Sequence, residues 1–450
     1  MNLEDLQKSL DASARARGVP GAAVAVWTGD ELLEAATGVL NVDTGVEATP
    51  DSVYQVGSTS KVWTAALVMQ LVDEGLVDLD APVRTYLPEF VLADEEAAKA
   101  ITVRHLLTHT PGFDGDIFTD TGRGDDCVTI YLGTMKDAPQ VTPPGTALAY
   151  CNSGYVVLGA LVAKLRGAVY EQVLRERLLD PLGCTQAALY PEEAVLFRAA
   201  AGHVTPPGGS EQVVSKMWMF PRSLGPAGSI MSLAPRELVR FGRMILAGGV
   251  AEDGTRILSE ESVRAMITPQ FPIPDYPMFS GHWGLGFIIM GLGAGAFGHS
   301  GGTPGQSTIW WVAPETGVVA ALNANGGNLM GMIEDVLDPI AREAGLEPEP
   351  AAVPPADPQP VDTTPYIGRY ECSMGRYDFE DDNGFLKVTT TPLGIGADMG
   401  GASEVRRFVW RGDHSFICDT AREGMYEVAK FLMDGDRATH LFNTRSLPRV

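Results

Sequence analysis

Cysteine is scarce in this chain of 450 residues, and so is positive charge. The five cysteines, Cys127, Cys151, Cys184, Cys372 and Cys418, are scattered and form no C-x-x-C pair. That excludes a disulfide framework or a zinc knuckle and fits free thiols in a reducing compartment. Lys and Arg number 33 against 57 Asp and Glu, a net charge of −24. Such a surface repels phosphate backbones and anionic lipid, so neither nucleic acid nor a membrane is an expected partner. No apolar run is long enough to span a bilayer. The amphipathic, acidic start Asn2-Leu3-Glu4-Asp5-Leu6 lacks the basic and apolar regions of a secretory signal, and the expected location is cytoplasmic. Repeats of solenoid period are absent as well.

What remains is a globular composition, 45% hydrophobic and 20% charged, too long for one ordinary core. Residues 3–17 read as a helix. Gly21–Trp27 reads as a buried strand, with Leu32–Leu40 as its hairpin partner across Thr28-Gly29-Asp30. A helix-rich middle runs from Lys61 to about residue 250. Strand texture returns at Gly284–Met290, Ser307–Val312 and Gly317–Leu322. Strands at both ends around a helical insert imply one sheet shared by the two termini, an α/β sandwich of antiparallel sheet, flanking helices and a helical subdomain. Residues 346–362, with Pro348, Pro350, Pro354, Pro355, Pro358 and Pro360, read as a stiff linker. Beyond it, residues 363–450 carry short strands at regular intervals, including a hairpin across Asp381-Asp382-Asn383-Gly384, and read as a small antiparallel β-barrel.

Chemistry enters at Ser58-Thr59-Ser60-Lys61, where an apolar run of helical composition begins. Positions i and i+3 share a helix face, so the Ser58 hydroxyl and the Lys61 amine meet at a helix N-terminus. A free serine is a poor nucleophile, and a lysine withdrawn from water can serve as its base. Three further segments accompany the pair: Tyr150-Cys151-Asn152, Gly225-Pro226-Ala227-Gly228-Ser229 and His299-Ser300-Gly301-Gly302.

Together these segments resemble the serine β-lactamase and penicillin-binding-protein-like family, in the branch of class C β-lactamases, D-amino-acid peptidases and family VIII esterases. The likeness covers residues 5–340 and the domain 1–345, and matches S-x-x-K at Ser58/Lys61, Y-x-N at Tyr150/Asn152 and H-x-G at His299/Gly301. Leu106–Gly112 is also similar to a segment of that branch. The resemblance implies Ser58 as acyl-forming nucleophile, with Tyr150, as a phenolate or sharing a proton with Lys61, activating it and later protonating the leaving group. Asn152 would orient Lys61 and grip a substrate carbonyl, and His299 would hydrogen-bond Tyr150 or substrate. The backbone N–H groups of Ser58 and Gly302 would form the oxyanion hole, and Gly301 would let a substrate backbone lie close. Histidine stands at 299 where classical β-lactamases carry lysine. It titrates near neutrality, which favours esters, amides or thioesters over β-lactams.

Rival patterns are present. Gly298–Gly302 matches G-x-S-x-G, with Ser300 as nucleophile, but the following Thr303-Pro304-Gly305 leads to a strand rather than a helix. His105 and His109 stand at i, i+4 without a glutamate between them or a third ligand, so no metal and no cofactor is expected. A catalytically inactive binding protein of the same fold is a further alternative. The acyl acceptor is open: water makes a hydrolase, an amine a transferase. Relatives called penicillin-binding-protein-type thioesterases cyclise nonribosomal peptides head to tail and pair this catalytic domain with a lipocalin-like barrel, so a carrier-protein-bound peptide joins small acyl compounds as a candidate substrate. Near the C-terminus Arg445 or Arg449 offers a bidentate fork to a peptide carboxylate, against the plainer reading of a solvated tail.

Overall fold

The computed structural model describes every residue except 1, 207, 208, 210, 275, 277–280 and 423–424. A nine-stranded antiparallel sheet forms its backbone. In spatial order the strands are Val46–Glu47, Leu32–Asn41, Gly21–Trp27, Val318–Ala324, Gln306–Ala313, Phe297–Thr303, Ile288–Met290, Gly281–Trp283 and Phe271–Pro272. Gly21–Trp27 pairs on one side with Leu32–Asn41 and on the other with Val318–Ala324, so the sheet joins strands from near residue 20 to strands from near residue 320, as expected. Helix Leu3–Ala16 covers one face through Leu6 and Leu10, both fully buried.

On the other face lies Ser60–Asp73. It is not amphipathic: from Ser60 to Leu71 every residue is buried, because it sits between sheet and helical cluster. Trp63 packs on Phe241, ring centres 4.3 Å apart, and helix Asn152–Arg166 lies alongside. Gly75, at φ +70, turns the chain out of the helix.

One expected strand is shorter than its apolar run. Gly284–Phe287 is a turn and only Ile288–Met290 pairs. Gly286 holds φ +91, and a Cβ there would meet that of Ala65 at 2.4 Å, so the turn is wedged against the Ser60–Asp73 helix.

Residues 346–363 contain no helix or strand. After them, eight antiparallel strands from Gly368–Cys372 to Ser446–Pro448 follow one another in sequence order. A bridge between Tyr370 and Arg449 and a bond from Val450 N–H to the Arg369 carbonyl draw the first and last strands together into a nearly closed barrel. Tyr370, Phe379, Phe408, Phe416 and Phe431 fill the interior. Among the described residues no helix is long and apolar enough to cross a membrane, and all five cysteines are free thiols.

Candidate active site

The turn Gly57–Thr59 and the first residues of helix Ser60–Asp73 bring Ser58 and Lys61 together, with Lys61 Nζ 3.0 Å from Ser58 Oγ. Lys61 is fully buried, and its other neighbours are Asn152 Oδ1 at 2.7 Å and the Ala227 carbonyl at 2.6 Å. Burial pushes the amine well below its ordinary range; the charge of Asp116 opposes the shift and that of Arg445 adds to it. An uncharged lysine has two hydrogens and one lone pair. The hydrogens suit Asn152 and Ala227, and the lone pair is left facing the Ser58 hydroxyl.

Asn152 opens helix Asn152–Arg166, where the Cys151 thiol accepts from Gly154 N–H at 3.3 Å as N-cap. Tyr150 precedes it, outside any helix or strand. Its ring stacks on His109, centres 4.3 Å apart, and stands 4.9 Å from Lys61 Nζ. Burial raises the phenol above its usual range, against the pull of its hydrogen bond with Ser58 and of Arg445. Burial thus disfavours the phenolate of Tyr150, as it disfavours the ammonium of Lys61.

His299 departs from expectation. It does not titrate near neutrality: burial, with the charge of Lys61 behind it, pushes it down to about 3. Its Nδ1 faces the Ser300 carbonyl at 2.5 Å, its ring centre lies 6.4 Å from that of Tyr150, and its buried Nε2 has no partner. With Nδ1–H donated to Ser300, Nε2 is an acceptor at the cleft.

Gly301 is explained by the protein rather than by substrate. A Cβ there would meet the Val56 carbonyl at 1.9 Å and Ser58 N at 2.9 Å, so the glycine lets strand Phe297–Thr303 press on the Ser58 turn. Gly302 has open space in that direction. Ser300 sits inside this strand rather than on a strand-to-helix elbow. His105 and His109 do not share a helix face, since the helix ends at Leu107 and His109 holds φ +55. His105 Nδ1 accepts from Thr102 N–H, and His109 Nδ1 from Cys151 N–H.

Ser58, Tyr150, Asn152, His299, Gly301 and Gly302 line one cleft of about 300 Å³. Thr444 and Arg445 of the barrel line it too, as do Phe118 and Phe220, whose ring centres are 5.2 Å apart. Neither C-terminal arginine is a solvated tail. Arg445 donates to Asp116 from Nε (2.8 Å) and Nη2 (3.4 Å), to Thr444 Oγ1 from Nη1 (2.9 Å), and lies 4.9 Å from the Tyr150 ring centre. Its bidentate fork is thus filled by Asp116. Arg449 does not line the cleft: it donates to the carbonyls of Pro365, Ala438 and Ile367 and lies 5.9 Å from the Tyr370 ring centre in the barrel. Asp116 escapes sequence reasoning, because a lone aspartate in a loop has no local signature.

Residues 5–337 match the family described as Beta-lactamase. "Penicillin-binding protein 4" of Amycolatopsis lactamdurans is 42% identical over 373 residues, spanning 82% of this chain and 97% of that protein. The crystal structure of SurE is similar over 99% of this chain and 98% of its own, with TM-score 0.78 and 27% identity. SurE with D-Leu gives TM-score 0.75 and 26% identity over 99% of both chains. D-amino acid amidase from Ochrobactrum anthropi SV3, complexed with L-phenylalanine amide, gives TM-score 0.62 and 26% identity over 76% of this chain and 99% of its own.

Proposed function

Because the chain belongs to the Beta-lactamase family and its penicillin-binding-protein-like serine hydrolases, we propose that it forms an acyl-enzyme on Ser58 from ester, thioester or amide substrates of peptide type. The observation that carries this reading is the fully buried Lys61 amine, 3.0 Å from Ser58 Oγ and hydrogen-bonded to Asn152 Oδ1 and the Ala227 carbonyl. Lys61 takes the Ser58 proton as Oγ attacks the acyl carbon. The Ser58 and Gly302 N–H groups receive the developing oxyanion, a contribution of ~10²–10³ in rate per donor. Tyr150 protonates the leaving group and is recharged from Lys61. An incoming water or amine then attacks the ester, giving up its proton along the same path.

His299 Nε2 offers a neutral acceptor where a carboxylate-binding site needs a cation, which disfavours β-lactams. Likeness to a D-amino acid amidase and to SurE holding D-Leu supports a D-configured residue at the reacting carbonyl. A fluorophosphonate probe tests the nucleophile: Ser58 labelled, and label lost in Ser58→Ala with Ser300→Ala unaffected. An unlabelled wild type would instead favour the inactive binding protein.

A second reading, head-to-tail cyclisation of a carrier-bound peptide, is favoured by the barrel residues Thr444 and Arg445 in the cleft wall, which bring the C-terminal domain to the cleft that Ser58 lines. Incubation with a peptidyl N-acetylcysteamine thioester and with p-nitrophenyl esters, read by mass, separates the two. Cyclic product establishes transfer, and free acid alone removes it.

A further inference from the structure

Asp114, Gly115 and Asp116 form a bracket between the barrel and helix Asn152–Arg166. The Asp114 carboxylate accepts from Ser373 N–H at 2.6 Å and Ser373 Oγ at 2.7 Å, holding the first barrel hairpin. The Gly115 carbonyl accepts from Ser153 N–H at 2.8 Å and Ser153 Oγ at 2.6 Å, in the first turn of helix Asn152–Arg166. No side chain fits at Gly115, because a Cβ would meet Cys151 Sγ at 2.1 Å. Asp116, its side chain 1% exposed, accepts from Asn152 Nδ2 at 2.6 Å and from Arg445, which the last barrel hairpin supplies.

The carboxamide of Asn152 has one donor end and one acceptor end. A carboxylate only accepts, so Nδ2 must face Asp116, and Oδ1 is then turned to Lys61. A flipped amide would aim two hydrogens at the lysine and break its bond. Without Arg445, Asp116 would be a buried carboxylate with no cation beside it, an arrangement proteins do not hold cheaply.

We infer that Asp116 is a positioning residue through which the C-terminal barrel, by way of Arg445, holds Asn152 and hence Lys61 in register with Ser58. The inference rests on the proposed Ser58 acyl-enzyme but concerns the barrel's part in it. Its electrostatic consequence follows from the groups around Lys61. Tyr150, Cys151 and Tyr155 flank it from helix Asn152–Arg166 and its lead-in, His109 from the loop before Pro111, and His299 from the sheet. Burial drives both histidines down and the three acids up, so the Asp116–Arg445 pair supplies the charges beside the lysine. Asp116 favours protonated Lys61, and Arg445 opposes it.

The full-length protein and its Asp116→Asn, Arg445→Gln and doubly substituted forms are assayed for the acylation burst with a p-nitrophenyl ester as a function of pH, beside thermal unfolding. Asp116→Asn should move the acid limb of kcat/KM to lower pH by about one unit, and Arg445→Gln should move it higher by a similar amount. The double variant leaves no unpaired buried charge. It should fold, return the limb close to wild type, and still lose about tenfold in kcat because the amide is no longer oriented. Wild-type kcat in the folded double variant, or limbs that move in the same direction, would overturn the inference. Failure of a fluorophosphonate to label Ser58 in the wild type would instead overturn the Ser58 reading itself.

Discussion

The backbone N–H of Tyr150 donates to the carbonyl of Thr444 at 2.8 Å, so a turn of the barrel is hydrogen-bonded to the tyrosine of the cleft. Thr444 makes that contact at φ +76, a conformation a β-branched residue enters only under strain. Thr444→Gly is expected to raise stability by about 1 kcal/mol. It should also lower kcat/KM, because the turn loosens and Arg445 loses its Oγ1 partner. Urea midpoints and esterase rates measure the two effects; a lower midpoint would remove the argument for strain.

Adjacent glycines should respond differently to one methyl group. At Gly301 it strikes the Val56 carbonyl and forces the strand from the Ser58 turn, so Gly301→Ala should cost about 1–3 kcal/mol. The displaced turn should also lose roughly 10²-fold in acylation rate. At Gly302 the methyl points into open space, so Gly302→Ala should unfold at the wild-type temperature and lose rate chiefly with bulky acyl groups. Equal unfolding temperatures for both variants would contradict this placement.

Lys61→Met should abolish acylation by a factor of ~10²–10⁴ yet stabilise the fold near neutral pH. The sign follows from linkage. The folded-state pKa of Lys61 lies well below its unfolded value, so between the two the unfolded chain binds more protons and wild-type stability rises with pH. The methionine variant should lack that rise. Chemical unfolding across the neutral and alkaline range would reveal it, and parallel curves would mean the lysine stays charged.

His299 obeys the same rule lower on the scale. Its neutral form contributes stability fully above pH 6.5, and the contribution is lost as pH falls from there toward about 3. Over that window the wild type should lose up to about 1.4 kcal/mol per pH unit relative to His299→Gln. The pH–rate profile should carry no inflection near 6.5 from this residue. An inflection there that disappears in the glutamine variant would show that His299 titrates in the ordinary range.

Legibility in the sequence tracked the distance over which each feature is determined. Ser58 and Lys61 are three positions apart on one helix start, and Tyr150 and Asn152 flank a single residue, so their chemistry showed in short motifs. The middle of the nine-stranded sheet is legible because Gly21–Trp27, Leu32–Leu40, Ser307–Val312 and Gly317–Leu322 alternate or run apolar between clear turns, whereas the two- and three-residue strands at its edges, Val46–Glu47, Phe271–Pro272 and Gly281–Trp283, are too short to show a period. Gly284–Met290 misled because an apolar run hides a left-handed glycine whose cause, Ala65, lies in a distant helix. The Asp116–Arg445 pair is separated by 329 positions: Arg445 reads as a fork for a carboxylate, but nothing local marks Asp116 as the carboxylate that fills it. His299 was assigned an ordinary imidazole pKa because burial is not a property of three letters.

Ser60–Asp73 is enclosed on nearly every side from Ser60 to Leu71, whereas the cleft walls come from loops at Phe118 and Phe220 and from the barrel turn at Thr444. A lineage carrying this chain can therefore change little around its nucleophile without losing the core. It can exchange the walls at small cost. Divergence should accumulate where the acyl group and its acceptor are chosen, while the bond-making step is inherited intact.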